Sequence, residues 1–389
     1  MNGPVDVIAP GQWLGMVGGG QLGRMFCHAA QALGYKVAVL DPAQSCPAGV
    51  AADLHIVANY DDAEGLAQLA ARCPAITTEF ENVPADSLRW LGERSRVSPK
   101  ADAVAIAQDR HVEKSFIAGR GIEVAPYIHV QQVSDLDGAD DALFPGILKA
   151  ARLGYDGKGQ ARVADRRAAQ EAFAAFGGVS CVLEAMLELD YEISVVLARG
   201  FDGAARTFPV ARNVHEDGIL ARTTVGQGDD SEQAMRAREA ALAIADGLDY
   251  HGVLCVEFFV LKDGRLLVNE IAPRPHNSGH FSIDACMTSQ FEQQVRVMAG
   301  LPLGSTRLLA PAVMLNILGD VWFESGSETA REPAWANVLQ VEGAKLHLYG
   351  KADARRARKM GHVTCVGATA AQASADAMAV ARALGLKRD

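Results

Sequence analysis

Residues 253–271 read VLCVEFFVLKDGRLLVNEI, and this stretch constrains the architecture more closely than any other part of the chain. Two apolar runs flank Asp263-Gly264, a pattern that predicts a β-hairpin with a two-residue turn. If that turn sets the register, Glu257 lies directly opposite Glu270. The face with both carboxylates is then completed by Phe259, Leu261, Leu266 and Val268. Since the other face is also apolar, we expect the hairpin to be buried on both sides.

Two carboxylates that face each other in apolar surroundings are unstable unless a cation lies between them. Oxygen ligands suit Mg²⁺ or Mn²⁺, which proteins bind through one or two carboxylates together with substrate phosphates. The pattern therefore favours a divalent metal site formed by Glu257 and Glu270. The alternative is a solvated edge or one protonated glutamate, and a one-residue slip of register would separate the two side chains.

A glycine-rich turn near the start of the chain suggests a second anion site. Gly18, Gly20 and Gly23 form a GxGxxG pattern between a predicted strand and a predicted helix, and Asp41 closes the next predicted strand. The order strand, helix, strand indicates a parallel sheet. The pattern alone leaves three alternatives open: a nicotinamide or flavin dinucleotide, another phosphate ligand, or a simple tight turn.

Another glycine-rich segment lies in the middle of the chain. Lys149 ends an apolar run, and GYDGKGQ follows at residues 154–160. The segment lacks the GxxxxGK[ST] signature of a P-loop, so it is either a glycine lid whose N–H groups wrap phosphates or a flexible surface loop. With a strand lysine and two opposed carboxylates, the lid interpretation favours phosphoryl transfer from ATP.

Apolar runs and periodicity predict the other elements. Predicted strands lie at 13–17, 36–40, 53–57, 75–78, 146–150, 179–184, 191–198, 312–318 and 345–349. Predicted helices lie at 22–33, 112–118, 231–247 and 371–384, and Ser231 or Asp230 is the expected cap of the third. Strands and helices alternate throughout, which indicates a mixed α/β chain.

The composition limits the classes of function. The 389 residues are 49% hydrophobic and 22% charged, which suits two or three globular domains. A net charge of −10 argues against a nucleic-acid surface, although a local cluster of Lys and Arg can bind a small anion.

The seven cysteines are scattered and form no CxxC pair. We therefore expect buried free thiols in a reducing, cytoplasmic compartment rather than disulfides or structural zinc. No apolar run reaches the roughly 20 residues that span a bilayer, and no signal peptide is evident. No membrane contact is expected.

Four segments, in this order, resemble one known family. They read GGQLGRM at 19–25, GYDGKGQ at 154–160, NEIAPRPHNSGH at 269–280, and a tail with YGK at 349–351 and RKMGH at 358–362. Together they resemble the 5-(carboxyamino)imidazole ribonucleotide synthases of the ATP-grasp superfamily. The resemblance implies α/β and α+β architecture in three parts. These are a Rossmann-like domain (1–108), an ATP-grasp domain (109–305, with a glycine-rich lid at about 125–190) and a small C-terminal domain (306–389).

The resemblance also implies a reaction, in which ATP drives the carboxylation of 5-aminoimidazole ribonucleotide by bicarbonate. Carboxyphosphate is the implied intermediate, and the products are 5-(carboxyamino)imidazole ribonucleotide, ADP and phosphate. Two Mg²⁺ or Mn²⁺ ions and a homodimer are implied as well. The family does not hold NAD at its glycine turn, which counts against the dinucleotide interpretation.

Residue roles follow from the match to the family's motifs. The ATP site implied by the resemblance comprises Arg110, Lys149, Gly154, Tyr155, Asp156, Gly157, Lys158, Gly159, Gln160, Glu184, Ala185, Met186, Leu187, Glu192, His215, Asn269 and Glu270. The ribonucleotide site comprises Gly20, Gln21, Leu22, Glu79, Tyr155, Asp156, Arg274, His276, Lys351 and Arg358. Catalytic roles fall to Asp156, Arg274, His276 and Asn277, and the metal ligands are Glu257 and Glu270.

Two further expectations concern side chains around the ribonucleotide. Glu79 and Glu81 alternate at a predicted strand end, so we expect them to share one face. Lys351 and Arg358 suit a 5′-phosphate, although without the resemblance a basic run at 351–359 is more simply a solvated surface.

Three rival functions remain open at this point. One is an ATP-grasp ligase for a different amine, acid or ribonucleotide, which the tail at 351–358 should distinguish. Another is an NAD-dependent oxidoreductase, which leaves the acidic hairpin unexplained. The third is a nucleotide-binding partner without activity, which the presence of all the matched metal and phosphate residues disfavours.

Overall fold

The computed structural model describes residues 5–154, 159–324 and 329–386. Its first part is a parallel sheet with strand order β3-β2-β1-β4-β5. The strands are β1 (Trp13–Val17), β2 (Lys36–Leu40), β3 (Leu54–Ile56), β4 (Ala75–Thr78) and β5 (Arg96–Val97). The helices are α1 (Gln21–Ala32), α2 (Pro47–Ala51), α3 (Ala63–Arg72), α4 (Ala85–Gly92) and α5 (Ala101–Ala107). The predicted bounds of β1, β2 and β4 and the parallel pairing are confirmed.

A small antiparallel sheet with strand order β6-β9-β7-β8 follows. Its strands are β6 (Tyr127–Val130), β7 (Gly146–Ala150), β8 (Gln160–Val163) and β9 (Cys181–Ala185). The helices of this part are α6 (Arg110–Ala118), α7 (Val133–Asp137) and α8 (Arg166–Ala175). The sequence predicted β7 with its observed bounds and placed the start of β9 two residues early, at Val179 instead of Cys181.

The third sheet has the strand order β15-β14-β10-β12-β13-β16-β18-β17, with β11 paired to β10. Its strands are β10 (Leu189–Arg199), β11 (Ala205–Thr207), β12 (Ala211–Glu216), β13 (Ile219–Val225), β14 (Gly252–Leu261), β15 (Leu266–Ala272), β16 (Ala312–Leu318), β17 (Ala344–Leu348) and β18 (Lys359–Val366). The last helices are α9 (Glu232–Gly247), α10 (Ser282–Ala285), α11 (Gln290–Ala299), α12 (Trp335–Leu339) and α13 (Ala370–Ala383). Short 3₁₀ turns lie at Asp141–Leu143, Asn277–Gly279 and Gly319–Trp322. Because β13 pairs with β16, the part of the chain from Ala312 onward extends this third sheet.

The hairpin of β14 and β15 differs from its prediction at the turn. Leu261 N donates to the carbonyl oxygen of Arg265 at 2.9 Å, so the loop has three residues and Gly264 adopts the left-handed conformation, with φ of 84°. The predicted two-residue turn is wrong, and Phe258 pairs with Val268. A bulge next to Glu257 then shifts the register back, and the predicted pairing of Glu257 with Glu270 is confirmed.

The three-residue loop also changes the faces of the hairpin. Leu266 and Val268 were predicted on the carboxylate face, but they pack on the opposite face with Val256, Phe258 and Val260. This apolar face covers α9, whose buried stripe consists of Ala234, Ala237, Ala241, Ile244 and Ala245. Helix α9 begins where Ser231 Oγ accepts the N–H of Ala234, as one of the two predicted caps.

The cysteines agree with a further expectation. All seven cysteines are buried and free, as predicted. Among the described residues, no helix combines the length and the apolar character needed to span a membrane.

Candidate active site

The amides of the glycine turn face an anion that belongs to the chain itself. The N–H groups of Gly20 and Gly23 both donate to the carboxylate of Glu79, the second at 2.8 Å. Gly19 N donates to Asp41 Oδ2 at 2.7 Å, and the hydroxyl of Tyr60 donates to the same oxygen at 2.7 Å. In this arrangement the turn holds internal carboxylates where a dinucleotide would place its pyrophosphate, which speaks against that alternative.

Glu79 fits against the turn because the turn lacks side chains. A Cβ atom on Gly20 would stand 2.9 Å from Glu79 Oε2, closer than real Cβ contacts occur. Burial raises the pKa of Glu79, and the two N–H donors oppose that rise. Leu22, a predicted ribonucleotide residue, is buried in the core beside the turn, whereas Gly20 and Gln21 are half-buried.

In the acidic hairpin, each glutamate has its own cationic partner. Glu257 Oε1 lies 3.0 Å from His276 Nε2, and Glu270 Oε2 lies 2.9 Å from a terminal nitrogen of Arg110. Burial opposes the charge of Glu257, but His276 outweighs burial and lowers the pKa of Glu257 to about 2. The pairing across β14 and β15 therefore brings together two carboxylates and two basic side chains.

Glu257 also belongs to a cluster of three potential ligands with Glu192 and His215. One ligand atom from each residue lies within 4.8 Å of the other two. His215 Nδ1 is 2.9 Å from Glu192 Oε2. Burial disfavours the imidazolium of His215, but the hydrogen bond to Glu192 outweighs burial and raises its pKa. Two residues predicted for ATP and one predicted for metal thus meet on neighbouring strands.

A buried network on β7, β9 and α6 holds the predicted ATP residue Lys149. Its Nζ lies 2.9 Å from Glu184 Oε2, and the Nζ of Lys114 lies 3.3 Å from Glu184 Oε1. Burial opposes the charge of Glu184, but Lys149 and then Lys114 outweigh it and lower the pKa of Glu184. The other predicted adenine-side residues follow Glu184 directly. Ala185 is the last residue of β9, the N–H of Met186 donates to the carbonyl oxygen of Pro145, and Leu187 comes next.

The sequence did not single out two residues of α6 that contact this region. Lys114 is fully buried, and Glu113 accepts the N–H of Ile271 next to Glu270. Burial and then the charge of Glu270 raise the pKa of Glu113 to about 8. The available signal was helical spacing, because Lys114 lies four residues after Arg110 and three before the buried Ile117.

The segment after β15 carries the predicted catalytic residues. His276 Nδ1 contacts Ser278 Oγ at 2.9 Å, and the backbone N–H of His276 donates to Gln290 Oε1 at 2.9 Å. Asn277 is buried, and both polar atoms of its side chain lack a hydrogen-bond partner among the described residues. Such a pair of unsatisfied buried atoms calls for a ligand or a water molecule.

Arg274 forms an ion pair with Glu81, whereas Glu79 binds the N–H groups of the glycine turn. Arg274 Nε lies 2.6 Å from Glu81 Oε2. Burial opposes the charge of Glu81, but Arg274 outweighs it and lowers the pKa of Glu81 to about 2. The expectation that Glu79 and Glu81 share a strand face is wrong: β4 ends at Thr78, and the two carboxylates turn to different partners.

The predicted phosphate residues Lys351 and Arg358 lie between β17 and β18. Lys351 Nζ donates to the carbonyl oxygen of Lys359 at 2.6 Å, and Arg358 donates to the carbonyl oxygen of Asp353 at 2.9 Å. Lys351 lines a cavity of about 340 Å³. A Cβ on the preceding Gly350 would stand 3.3 Å from Arg24 of α1, so this loop lies against the helix that begins after Gly20.

The ends of the predicted glycine lid flank the ATP residues. Gly154 O accepts a hydrogen bond of 3.4 Å from Arg110, and Gly159 O accepts the N–H of Ala150. Gln160 begins β8 and pairs with Lys149. The predicted residues Tyr155, Asp156, Gly157 and Lys158 lie outside the described residues. Asn269 occupies the bulge of β15, where Lys114 Nζ contacts its carbonyl oxygen at 3.5 Å.

Comparisons with known proteins agree with this geometry. The ATP-grasp domain family matches residues 115–291, the ribonucleotide synthetase preATP-grasp domain matches residues 12–108, and the phosphoribosylaminoimidazole carboxylase C-terminal domain matches residues 312–376. The predicted fold class, a Rossmann-like first domain with an ATP-grasp domain, is confirmed by these matches.

Three relatives identify the family. A Brucella melitensis protein named N5-carboxyaminoimidazole ribonucleotide synthase is 48% identical over 360 residues, covering 92% of this chain and 97% of the relative. N5-carboxyaminoimidazole synthetase from Staphylococcus aureus, crystallised with ADP, aligns with a TM-score of 0.88 at 37% identity, covering 97% of this chain and 98% of that chain. N5-carboxyaminoimidazole synthase from Aspergillus clavatus, crystallised with ADP and 5-aminoimidazole ribonucleotide, aligns with a TM-score of 0.86 at 28% identity, covering 96% and 98%. The chain belongs to the N5-carboxyaminoimidazole ribonucleotide synthase family of ATP-grasp ligases.

Proposed function

We propose that this chain uses ATP and bicarbonate to carboxylate the amine of 5-aminoimidazole ribonucleotide, giving 5-(carboxyamino)imidazole ribonucleotide, ADP and phosphate. The observation that carries the proposal is the pairing of Glu257 with Glu270, each bound to a cation from a different side of the site. Arg110 belongs to the predicted ATP side, and His276 belongs to the predicted substrate side.

ATP binds, in this proposal, between the small antiparallel sheet and the acidic hairpin. Lys149 and Arg110 are the cations for its phosphates, and their present partners Glu184 and Glu270 hold them in position. Glu192 accepts from the ribose hydroxyls, with His215 as its neighbour at 2.9 Å. The segment 184–187 borders the adenine, and the lid at 154–160 covers the phosphates.

The donor set of the hairpin fits Mg²⁺ or Mn²⁺. Glu257 and Glu270 supply oxygen ligands from directly paired positions, and the buried Glu257 already forms part of a three-ligand cluster. Glu257 and Glu270 would hold one or two such ions, with Asn269 beside them. When bound, the ions neutralise charge on the transferring phosphoryl group.

The carboxyl group is formed and transferred beside the segment 274–277. Bicarbonate oxygen attacks the γ-phosphorus of ATP, and ADP leaves, so that carboxyphosphate forms. The amine nitrogen of the ribonucleotide then bonds to the carboxyl carbon, or to the CO₂ that carboxyphosphate releases. Phosphate leaves, and the amine loses a proton. Arg274 supplies a fixed positive charge for the acyl phosphate, and the side-chain NH₂ of Asn277, which has no partner among the described residues, donates to it.

The ribonucleotide lies between the glycine turn and the C-terminal strands. Lys351 and Arg358 bind its 5′-phosphate, while Gly20, Gln21, Leu22 and Glu79 border the remainder. The contact of Gly350 with Arg24 supports this placement, because it brings the two groups of residues to one helix end. Asp156, with Tyr155 beside it, orients the amine or removes its proton.

The oligomeric state and the domain boundaries are part of the same proposal. We propose a homodimer, as the family resemblance implies, and a division of the chain near residues 108 and 305. The separate parallel sheet of the first part supports the first boundary. The second boundary crosses no strand, although β13 and β16 join the two parts in one sheet.

An ADP-release assay tests the proposal. With ATP, Mg²⁺, bicarbonate and 5-aminoimidazole ribonucleotide, we expect ADP and the carboxyamino product in a ratio near one, and we expect the product to carry label from ¹³C-bicarbonate. Omission of the ribonucleotide should remove product formation. ADP release that is the same with an unrelated amine or ribonucleotide would count against the assignment and favour another ATP-grasp ligase.

A further inference from the structure

A cluster of three side chains that can bind a metal lies beside the glycine turn, with which it shares Asp41, and it has no residue in common with the acidic hairpin. It consists of Asp41, Cys46 and His55, and one ligand atom of each lies within 4.8 Å of the other two. Cys46 Sγ is 3.7 Å from His55 Nε2. A thiol, an imidazole and a carboxylate in one small volume form a donor set unlike that of the acidic hairpin, which offers mainly oxygen.

The fold builds this cluster at the edge of the parallel sheet. Asp41 follows β2, and His55 lies on the adjacent strand β3, where it pairs with Val39. Cys46 precedes α2 and packs against Gly19 and Gly49, where any side chain would collide with it. A Cβ on Gly49 would stand 2.6 Å from His55 Nδ1 and 2.8 Å from Cys46 Sγ. Two glycines therefore make the space in which the thiol and the imidazole approach each other.

Surrounding donors orient the carboxylate of the cluster. Asp41 Oδ2 accepts from Gly19 N and Tyr60, each at 2.7 Å, and Asp41 Oδ1 accepts from Ala43 N at 2.9 Å. Carboxylates that bind a metal are themselves hydrogen-bonded by such outer contacts, which fix their orientation. The seven cysteines all lie within the described residues, and of these Cys46 alone belongs to a three-ligand cluster.

We propose that Asp41, Cys46 and His55 bind one thiophilic divalent cation of the Zn²⁺ class. Zn²⁺ lies about 2.3 Å from sulphur and about 2.0 Å from imidazole nitrogen, so tetrahedral binding separates these atoms by about 3.5 Å. The observed 3.7 Å between Cys46 Sγ and His55 Nε2 requires little adjustment, and the ion would replace the present contact of His55 Nε2 with the backbone carbonyl oxygen of Asp41 at 3.3 Å. The ion replaces the thiol proton, which passes to solvent, and a water molecule takes the fourth position.

This site differs from the hairpin in the metal it selects. The sulphur ligand favours Zn²⁺ or Co²⁺ over the hard ions Mg²⁺ and Mn²⁺. The scattered cysteines, without a CxxC pair, predicted no structural zinc. Cys46 and His55 are instead brought together by the pairing of β2 with β3. Because Asp41 also accepts the N–H of Gly19, an ion here is linked directly to the glycine turn.

Cobalt spectroscopy of the full-length, metal-free chain tests the proposal. With Mg²⁺ in excess to fill oxygen sites, Co²⁺ should produce a thiolate-to-cobalt charge-transfer band that saturates at one ion per chain. Zn²⁺ should displace it. Cys46→Ser should abolish the band, and His55→Gln should weaken Co²⁺ binding at least tenfold. Cys73→Ser, a change at another buried cysteine of the same domain, should keep both the band and the affinity.

Thermal unfolding provides an independent measurement. Zn²⁺ should raise the Tm of the wild-type chain and of Cys73→Ser, because a ligand that binds the native state stabilises it. Zn²⁺ should not raise the Tm of His55→Gln. Because this variant retains the thiol of Cys46, it tests the site even if Cys46→Ser does not fold. Absence of the cobalt band in the wild-type chain, or equal Co²⁺ affinity in His55→Gln, would overturn the proposal.

Discussion

The glycine turn and the acidic hairpin are both motifs in which carboxylates take part. Only at the turn do the chain's own side chains occupy the groups that would otherwise bind a ligand. At the turn, the carboxylates of Glu79 and Asp41 occupy the N–H groups of Gly19, Gly20 and Gly23. At the hairpin, the carboxylates of Glu257 and Glu270 bind His276 and Arg110, side chains that can also bind a ligand.

A glycine pattern alone does not indicate which anion its N–H groups bind. The pattern GxGxxG specifies backbone N–H groups that need an acceptor, and here a buried acidic residue meets that need. The hairpin specifies acceptors that need cations, and the chain supplies two of them, Arg110 and His276. The adjacent Asn277 side chain has no hydrogen-bond partner in the part of the chain that the structure describes. The region with unsatisfied groups is therefore the better candidate for the reaction.

The largest effect should come from Glu270→Gln. Removal of this charge should lower ribonucleotide-dependent ADP formation by about a hundredfold to a thousandfold, because it weakens stabilisation of charge at the transferring phosphoryl group. The matched control is Glu188→Gln, which alters an exposed carboxylate close to the turn of the same hairpin. That control should keep its rate, and full activity in Glu270→Gln would contradict the proposed metal role.

A smaller loss should follow from Asn277→Ala. Its buried side chain makes no hydrogen bond within the described residues, so we expect activity to fall about tenfold to a hundredfold while the Tm is unchanged or higher. Asn213→Ala is the comparison, because Asn213 bonds to Ser194 and Thr223 at 2.9 Å each. That variant should lose about 1–3 kcal/mol of unfolding free energy. Equal losses of stability in the two variants would refute this interpretation of Asn277.

Gly20→Ala tests whether Glu79 packs closely against the glycine turn. The new Cβ would collide with the Glu79 carboxylate, so we expect a loss of about 2 kcal/mol in chemical denaturation. Gly138→Ala is the control, because a Cβ at Gly138 meets nothing within 4 Å and its φ is −93°. If both variants are equally stable, the turn is looser than its contacts with Glu79 indicate.

The smallest effect concerns Glu81, which connects the turn region to Arg274. Its folded-state pKa of about 2 lies below the ordinary value of 4.5, so its contribution is complete above pH 4.5 and is lost as the pH falls towards 2. Between neutral pH and pH 3.5 the wild-type chain should therefore lose about 1 kcal/mol more than Glu81→Gln. Urea unfolding at several pH values measures this difference, and parallel pH profiles would contradict it.

The sequence predicted the positions of β1, β2, β4, β7 and β16 because each is a short apolar run between turn-forming residues. The pairing of Glu257 with Glu270 was predicted from a turn that is one residue too short, and the bulge at Asn269 compensated for that error. Neither feature was visible in the pattern. Gly264 permits either loop length, and the bulge is contacted by Lys114 of α6, which is remote in sequence.

Other parts of the candidate site could not be predicted because their partners are remote in sequence. Glu79 and Gly20 are 59 residues apart, and Glu81 and Arg274 are 193 apart. Lys114 was missed because a lysine in an amphipathic helix is normally expected at the surface. Such pairs arise only when the sheets and α6 are assembled, whereas the residues of each motif are fixed locally.

The most direct test of the account is a crystal structure with ADP and Mn²⁺, in which anomalous scattering locates the ions. We expect an anomalous peak bound by oxygens of both Glu257 and Glu270 and by the nucleotide phosphate, with Arg110 moved towards the phosphates. A nucleotide whose ions bind elsewhere, while Glu270 keeps its present partner Arg110, would contradict it.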